Sequence, residues 1–247
     1  MAKFFNKYDN GAISLGELVK QLQSKGDKLF SDEDFIISLL SKIYNNREFL
    51  CDVLFEQLDN LTNFQSDNPY TPQAFILSST KVYTLRAAIW SPVSRISDSK
   101  DDVYFYDKAH DHNFTFYTVG YKGPGYETDL YTYESNDLNV GDEIKLDSLG
   151  ILNLKEGDIW KYEKSKDVHS QYPPKEASIS INLIDNNIGL RQYYFNSKTG
   201  KVLNRVSNKY DTLKVLSDLI GNKDTNKLIE EKIKTSSNQL IKDAFDV

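Results

Sequence analysis

The chain is poor in the residues that usually announce a special class of protein. Its 247 residues hold one cysteine, one methionine, two tryptophans, six prolines and three histidines. A lone cysteine, Cys51, rules out an intramolecular disulfide and a CxxC metal site. It makes a reducing compartment the default. Cys51 lies in EFLCDVLFEQL among apolar neighbours at helical spacing, so a buried structural thiol is expected. No run of about eighteen apolar residues occurs, so no membrane partner is expected. The opening MAKFFNKYDN has no long apolar stretch, so no secretory leader is expected and the cytoplasm is the expected location. The net charge of −6 comes from interspersed acids and bases, without the basic stripe that a nucleic-acid surface needs. Neither G-x-x-x-x-G-K-[ST] nor G-x-G-x-x-G is present, so phosphate-loop chemistry is excluded.

Aromatic residues are abundant instead, with 16 tyrosines and 13 phenylalanines. They gather in the middle of the chain, where AFILSS, VYTLRAAIW, DVYFYD, NFTFYTVGY, TDLYTYE, DEIKLDSLGI, DIWKYEK, ASISINLI and RQYYFN follow one another between Gly, Pro, Asn and Asp. Many short β-prone segments at regular spacing predict a sandwich or barrel. KGPG at 122–125 predicts a tight turn between two of them.

The ends of the chain read as helices. Ser14 is placed to cap LGELVKQLQSK, with Glu17 in the capping-box position. Ser31 is placed to cap FIISLLSKIY, and Asn46 to cap REFLCDVLFEQLDNL. Helical periodicity returns after Asp211, with Gly221 suited to end one helix. The expected organisation is an N-terminal helical arm over 1–70, a β domain over 71–205, and C-terminal helices over 206–247. The last should pack on the β domain or on a partner, a homodimer being one way to cover their apolar faces.

All three histidines fall into one pattern. His110 and His112 stand two apart in YDKAHDHNFTFY, and His169 follows in DVHSQYPP. Residues i and i+2 of a strand point to one face, so H-x-H aims two imidazoles at one point. A third from a neighbouring strand completes one face of a metal's coordination sphere. Three neutral nitrogen donors suit Fe(II), Zn(II), Cu, Ni or Mn and leave positions open. An H-x-H pair alone is more often incidental than a ligand pair; the strands around it and the third histidine favour the ligand reading.

These residues resemble the motifs of the cupin superfamily over roughly 75–200. His110-Asp111-His112 matches that family's H-x-H, Gly123 its hairpin glycine, and Gly157-Asp158 followed by His169 its second motif. The glutamate expected after H-x-H falls on Phe116 or Tyr117, and the preceding glycine on Tyr104. Glu163 and Ser165 stand near the second motif's internal Pro and Gly. The resemblance implies a mostly β fold, an antiparallel barrel (double-stranded β-helix) flanked by N- and C-terminal helices. It also implies a metal held by His110, His112 and His169, Fe(II) first and Zn, Ni, Mn or Cu otherwise. A three-His site without the glutamate is similar to that of the cupin thiol dioxygenases. The implied reaction is O2-dependent oxidation of a small carboxylate- or thiol-bearing metabolite. A non-oxidative isomerase or lyase and a ligand-binding regulatory barrel are the alternatives. The Cys–Tyr crosslink of some of those enzymes is not expected, because Cys51 lies in the arm.

Other candidates follow from strand faces. With the H-x-H pair inward, Phe114, Phe116 and Thr118 face the same way. Ser178, Ser180 and Asn182 share one face of their strand. Arg86 is placed to clamp a substrate carboxylate, with Arg191 a weaker candidate. Phe116 and Ser180 are expected at the substrate. Tyr104, Tyr106, Tyr117 and Tyr131 are candidate donors to bound oxygen. Glu127, which begins the strand after KGPG, is the candidate fourth ligand or outer partner if the register differs.

Overall fold

A computed structural model describes residues 1–6, 9–58, 73–92, 106–134, 138–188, 191–207 and 209–236, together with 62, 64–66, 68, 70 and 245. Eleven strands and five α-helices are formed among them. The helical arm begins, unexpectedly, with a strand, β1 (Lys3–Asn6), followed by α1 (Leu15–Lys25), α2 (Glu33–Asn45) and α3 (Phe49–Leu58). The strands β2 (Ala74–Ser79), β3 (Tyr83–Trp90), β4 (Phe116–Lys122), β5 (Tyr126–Thr132), β6 (Asp147–Leu154), β7 (Asp158–Tyr162), β8 (Asp167–Gln171), β9 (Ser178–Asp185), β10 (Tyr193–Phe195) and β11 (Val202–Arg205) come next. Two helices, α4 (Lys209–Ile220) and α5 (Lys223–Thr235), end the described chain apart from residue 245.

The strands form two antiparallel layers. One runs β1-β7-β4-β9-β3-β2 and the other β6-β5-β8, with the β10-β11 hairpin joined to the second through His110. His110 bridges His169 of β8 on one side and Tyr194 of β10 on the other. The chain thus alternates between layers, and β3 pairs with β9, His110 with β8, β4 with β7, and β5 with β6. This is the order of a long antiparallel ribbon wound into an eight-stranded jelly roll, the double-stranded β-helix of cupins. The fold is therefore mostly β with flanking helices, a sandwich in which His110 supplies one whole layer position as a single residue bridged on both sides.

The turn at 122–125 forms as expected between β4 and β5. Gly125 sits at φ 87°, and a Cβ there would meet the Leu154 carbonyl oxygen at 2.1 Å. Only glycine lets β5 start this close to β6. Ser14 caps α1, accepting from Glu17 N at 3.3 Å. Asp32 rather than Ser31 caps α2, accepting from Phe35 N at 3.1 Å, because the chain runs through a 3-10 turn up to Ser31. Asn46, expected to cap the third helix, instead ends α2; its Oδ1 accepts from Glu48 N in the turn before α3 begins at Phe49. The caps at Ser14 and Asp32 each contribute about 1 kcal/mol.

Both faces of the larger sheet are buried, and they differ in kind. Its outer face carries Leu85, Tyr117, Val119, Ile159, Ile181 and Leu183, packed beneath Leu18, Leu22, Ile36, Leu40 and Ile43 of the helices. Its inner face carries Trp90, Phe116, Trp160, Tyr162 and Ile184, which meet Tyr126, Leu130 and Leu154 of the second layer. The apolar side of ASISINLI thus faces the helices and its polar side faces inward. The arm is the lid of the core, which frees the sandwich interior for polar chemistry.

One expectation fails here. Cys51 is exposed, because α3 buries Phe49 and Val53 and turns Cys51, Leu54, Phe55 and Leu58 outward. In α4, Leu219 and Ile220 are 76% and 74% exposed. No helix among the described residues is long and apolar enough to cross a membrane.

Candidate metal centre

The three histidines converge. His169 Nε2 lies 3.2 Å from His110 Nε2 and 3.0 Å from His112 Nε2. The rings stand steeply to one another, at 89°, 69° and 84° for the three pairs. Three nitrogens about 2.1 Å from one ion lie about 3.0 Å apart at right angles and about 3.4 Å apart at tetrahedral angles. The two edges at His169 fall in that interval, and all three ligand atoms lie within 4.8 Å of one another. Among the described residues this is the one cluster of His, Cys, Asp or Glu with metal-binding spacing.

Chain geometry explains the convergence. His169 sits in the middle of β8 and points inward, while Val168 points outward. His110 is locked to it by paired backbone bonds, His110 N donating to His169 O at 3.0 Å and His169 N to His110 O at 2.9 Å. His112 lies beyond the bridge in an irregular stretch, so the expected continuous H-x-H strand reduces to one bridging residue. The expected strand DVYFYD lies largely outside the described residues.

The electrostatics favour metal-ready imidazoles. Burial holds His110 below the usual histidine range. Burial, and then the neighbouring histidines and Arg86, hold His112 well below it; burial, His110 and Arg86 do the same for His169. His110 Nδ1 lies 2.8 Å from the Lys108 carbonyl and must donate to it, which leaves the Nε2 lone pair for the centre. Asp111, between the two ligands, turns to the other side of the sheet. Burial pushes its carboxyl up to about 6, against hydrogen bonds from Tyr193 N and Tyr133.

The histidines form one end of a cavity of about 410 Å³. Arg86, Phe114, Phe116, Trp90, Tyr126, Tyr162, Gln192 and Tyr194 are among its lining residues, and among the described residues no acidic side chain lines it. Arg86 lines the cavity. Its Nε has no hydrogen-bond partner, and its guanidinium lies over the Tyr70 ring at 4.5 Å. Phe116 stacks on Tyr162 at 4.6 Å and meets His112 edge-on at 5.2 Å. Phe114 stacks against His112 at 4.6 Å. Thr118 faces in but donates to Asn182 Oδ1 at 2.7 Å.

Several candidates stand elsewhere. Glu127 alternates with the buried Tyr126 and Thr128 and is exposed on the outer face, so it is turned away from the histidines. Ser180 is buried behind the wall, accepting from Trp90 Nε1 at 3.0 Å, and holds a lining residue instead of lining the cavity. Tyr117 faces the helices and donates to Glu33 Oε2 at 3.2 Å. Tyr131 donates to Asp129, and Tyr106 to the Ser91 carbonyl. Arg191 is not among the lining residues, and Tyr104 lies outside the described residues. Tyr126, Tyr162, Tyr194, Gln171 and Gln192 are wall residues that the sequence reading missed. Alternation from the histidines signals only one of them, Gln171, two residues from His169 on β8.

No protein-family model matches the chain, and no curated protein does. Solved structures do, at low similarity. A hydroquinone 1,2-dioxygenase holding cadmium and 4-hydroxybenzonitrile matches at 7% identity and TM-score 0.31, over 49% of this chain and 68% of that one. An uncharacterised double-stranded β-helix protein from Klebsiella pneumoniae matches at 12% and 0.29, over 49% and 78%. A structure of DMSP lyases matches at 11% and 0.27, over 45% and 46%. Scores near 0.3 carry no argument about this chain, whose fold rests on its own strand order.

Proposed function

We propose that this chain is a mononuclear non-haem Fe(II) enzyme that uses O2 to oxidise a small carboxylate- or thiol-bearing metabolite. The carrying observation is the convergence of three neutral imidazole Nε2 atoms at the end of a cavity that also holds Arg86 and that no acidic side chain among the described residues lines. His110, His112 and His169 would hold the ion. Bound Fe(II) would supply electrons for O2 and a shared point of attachment for O2 and substrate.

The remaining work falls to the chain. Three neutral ligands leave the full charge of a dication in place, and Arg86 adds another positive charge on the same cavity. Burying like charges without a counter-ion is costly, so an anionic substrate fits best. Arg86 would bind its carboxylate through the guanidinium fork, aimed by the Tyr70 ring. Trp90 and Tyr126, stacked at 3.9 Å, and Phe116 on Tyr162 would exclude water and hold an apolar body between them.

The test is metal analysis of anaerobically purified protein, followed by O2-uptake screening with amino, hydroxy and thiol acids. Iron-dependent O2 consumption with one of these supports the reading. Full turnover with zinc and no O2 uptake with iron overturns it in favour of a lyase or isomerase.

A further inference from the structure

Asp111 occupies the position between two of the three histidines and serves none of the cavity. His110, His112, His169 and Tyr194 point inward, while Ala109, Asp111, Val168 and Tyr193 point to the opposite side of the layer. There Asp111 is wholly buried beside an apolar cluster containing Tyr133, Leu138, Val168, Tyr193 and Phe195. A carboxylate in such a place is expensive unless each oxygen is bonded. Both are: Oδ1 accepts from Tyr193 N at 2.6 Å and Oδ2 from the Tyr133 hydroxyl at 2.7 Å.

The Tyr193 bond shows what the carboxylate does. Phe195 N donates to Ala109 O at 2.8 Å, and Asp111 N to Tyr193 O at 3.2 Å. A regular antiparallel ladder would return the bond from Tyr193 N to the Asp111 carbonyl. Here Tyr193 N bonds the Asp111 side chain instead. The side chain therefore takes the place of its own carbonyl and ends the ladder between the two histidines. The backbone is then free to leave β10 and carry His112 O to Ser165 N, at 2.8 Å. A peptide that stayed in the ladder would carry His112 along β10.

We infer that Asp111 is a positioning residue for the metal centre: its carboxylate, held between Tyr193 N and Tyr133, sets the turn that brings His112 to His110 and His169. This rests on reading the three histidines as metal ligands. Outer partners of this kind typically change metal affinity by about tenfold to a hundredfold when removed.

Co(II) binding to metal-free protein tests it, through the visible d–d band and the dissociation constant from chelator competition. Asp111→Ala should weaken binding about tenfold to a hundredfold and alter the band, because His112 leaves its place. Asp111→Asn should stay within about threefold of the parent, since the amide oxygen can accept from Tyr193 N and its NH2 can donate to the Tyr133 oxygen. Tyr133→Phe, which leaves the spacer intact, should fall between the two. A purely structural aspartate would lower the melting temperature and leave the constant and the band of the folded protein unchanged. Parental binding by folded Asp111→Ala overturns the inference while the metal reading stands. If that variant does not fold, parental binding and band in Tyr133→Phe overturn it equally. Failure of the parent protein itself to bind Co(II) overturns the metal reading and the inference together.

Discussion

His110 and His169 are joined twice, by reciprocal backbone hydrogen bonds of 3.0 and 2.9 Å and by an Nε2–Nε2 approach of 3.2 Å. The bridge that closes the second layer is thus the same pair of residues that opens the metal centre. Because two backbone bonds hold this pair, losing one imidazole should damage metal binding far more than the fold. His169→Ala should lower metal affinity by more than about a hundredfold. Its far-ultraviolet circular dichroism should stay close to the parent's. Full metal content in that variant, measured by elemental analysis after desalting, would remove the site.

Glu127 supplies the complementary case. It stands one residue from the inward Thr128 and is exposed on the other face. Glu127→Gln should leave metal stoichiometry and affinity unchanged within about twofold, as for an exposed side chain with no buried partner. A loss on the scale of a histidine variant would mean that β5 is shifted by one residue in the functional state.

How much of this was legible in the sequence depends on the range of the interaction. Ser14 with Glu17, and KGPG, act over three or four residues, and each appears where its local chemistry placed it. The histidines were legible because there are only three and two stand in H-x-H, although His112 reaches His169 by leaving the ladder after His110 and not by continuing a strand. β1 was not, because Lys3–Asn6 reads as a polar end until it meets β7 more than 150 residues later, with Lys3 opposite Lys161. Ser31 missed the cap by one residue because a 3-10 turn intervenes. Cys51 was misplaced because α3 carries apolar residues on more than one face, and periodicity does not say which face the sheet will cover. Tyr126, Tyr162 and Tyr194 join the site through three different strands, and only the winding of the jelly roll brings them together.

Acidity should loosen the metal-free protein. The three histidines are held below their ordinary value, chiefly by burial, whereas the unfolded chain takes up their protons near pH 6.5. A depressed folded pKa gives stability that is present above the unfolded value and lost as the pH falls. Asp111 works in the opposite sense. Its carboxyl, pushed up to about 6, favours the fold fully below the ordinary aspartate range, and that contribution is lost as the pH rises through 6. Near pH 5 the unfolded state therefore gains up to three histidine protons and the folded state one aspartate proton. A net difference of one to two protons gives a slope of about 2 kcal/mol per pH unit. Melting curves of metal-free protein between pH 7.5 and 5 should show the decline, and His112→Gln should flatten it. A melting temperature that stays level or rises towards pH 5 would contradict neutral, buried imidazoles.

Arg86 carries the final expectation, and it needs no knowledge of the substrate. Its guanidinium reaches the cavity, its Nε lacks a hydrogen-bond partner, and no acidic side chain among the described residues pairs with it. Burial lowers its pKa from the ordinary arginine value, against the Tyr70 contact, which means that the cavity tolerates the charge without rewarding it. A cation in that state costs folding free energy, which a bound anion would recover. Arg86→Met keeps the stem's packing and removes the charge. The metal-free variant should be more stable than the parent by about 1–3 kcal/mol, a rise of several degrees in melting temperature for a chain of this length. The same change should leave metal affinity unchanged or slightly stronger, because Arg86 repels a dication. For any acid that supports O2 uptake, it should raise KM by about thirtyfold or more, through loss of the charged fork. Arg86→Lys should recover little of that, since an ammonium cannot present the paired donors. A variant that is less stable, and that still uses the acid as the parent does, would place Arg86 in the scaffold and leave the anion site elsewhere.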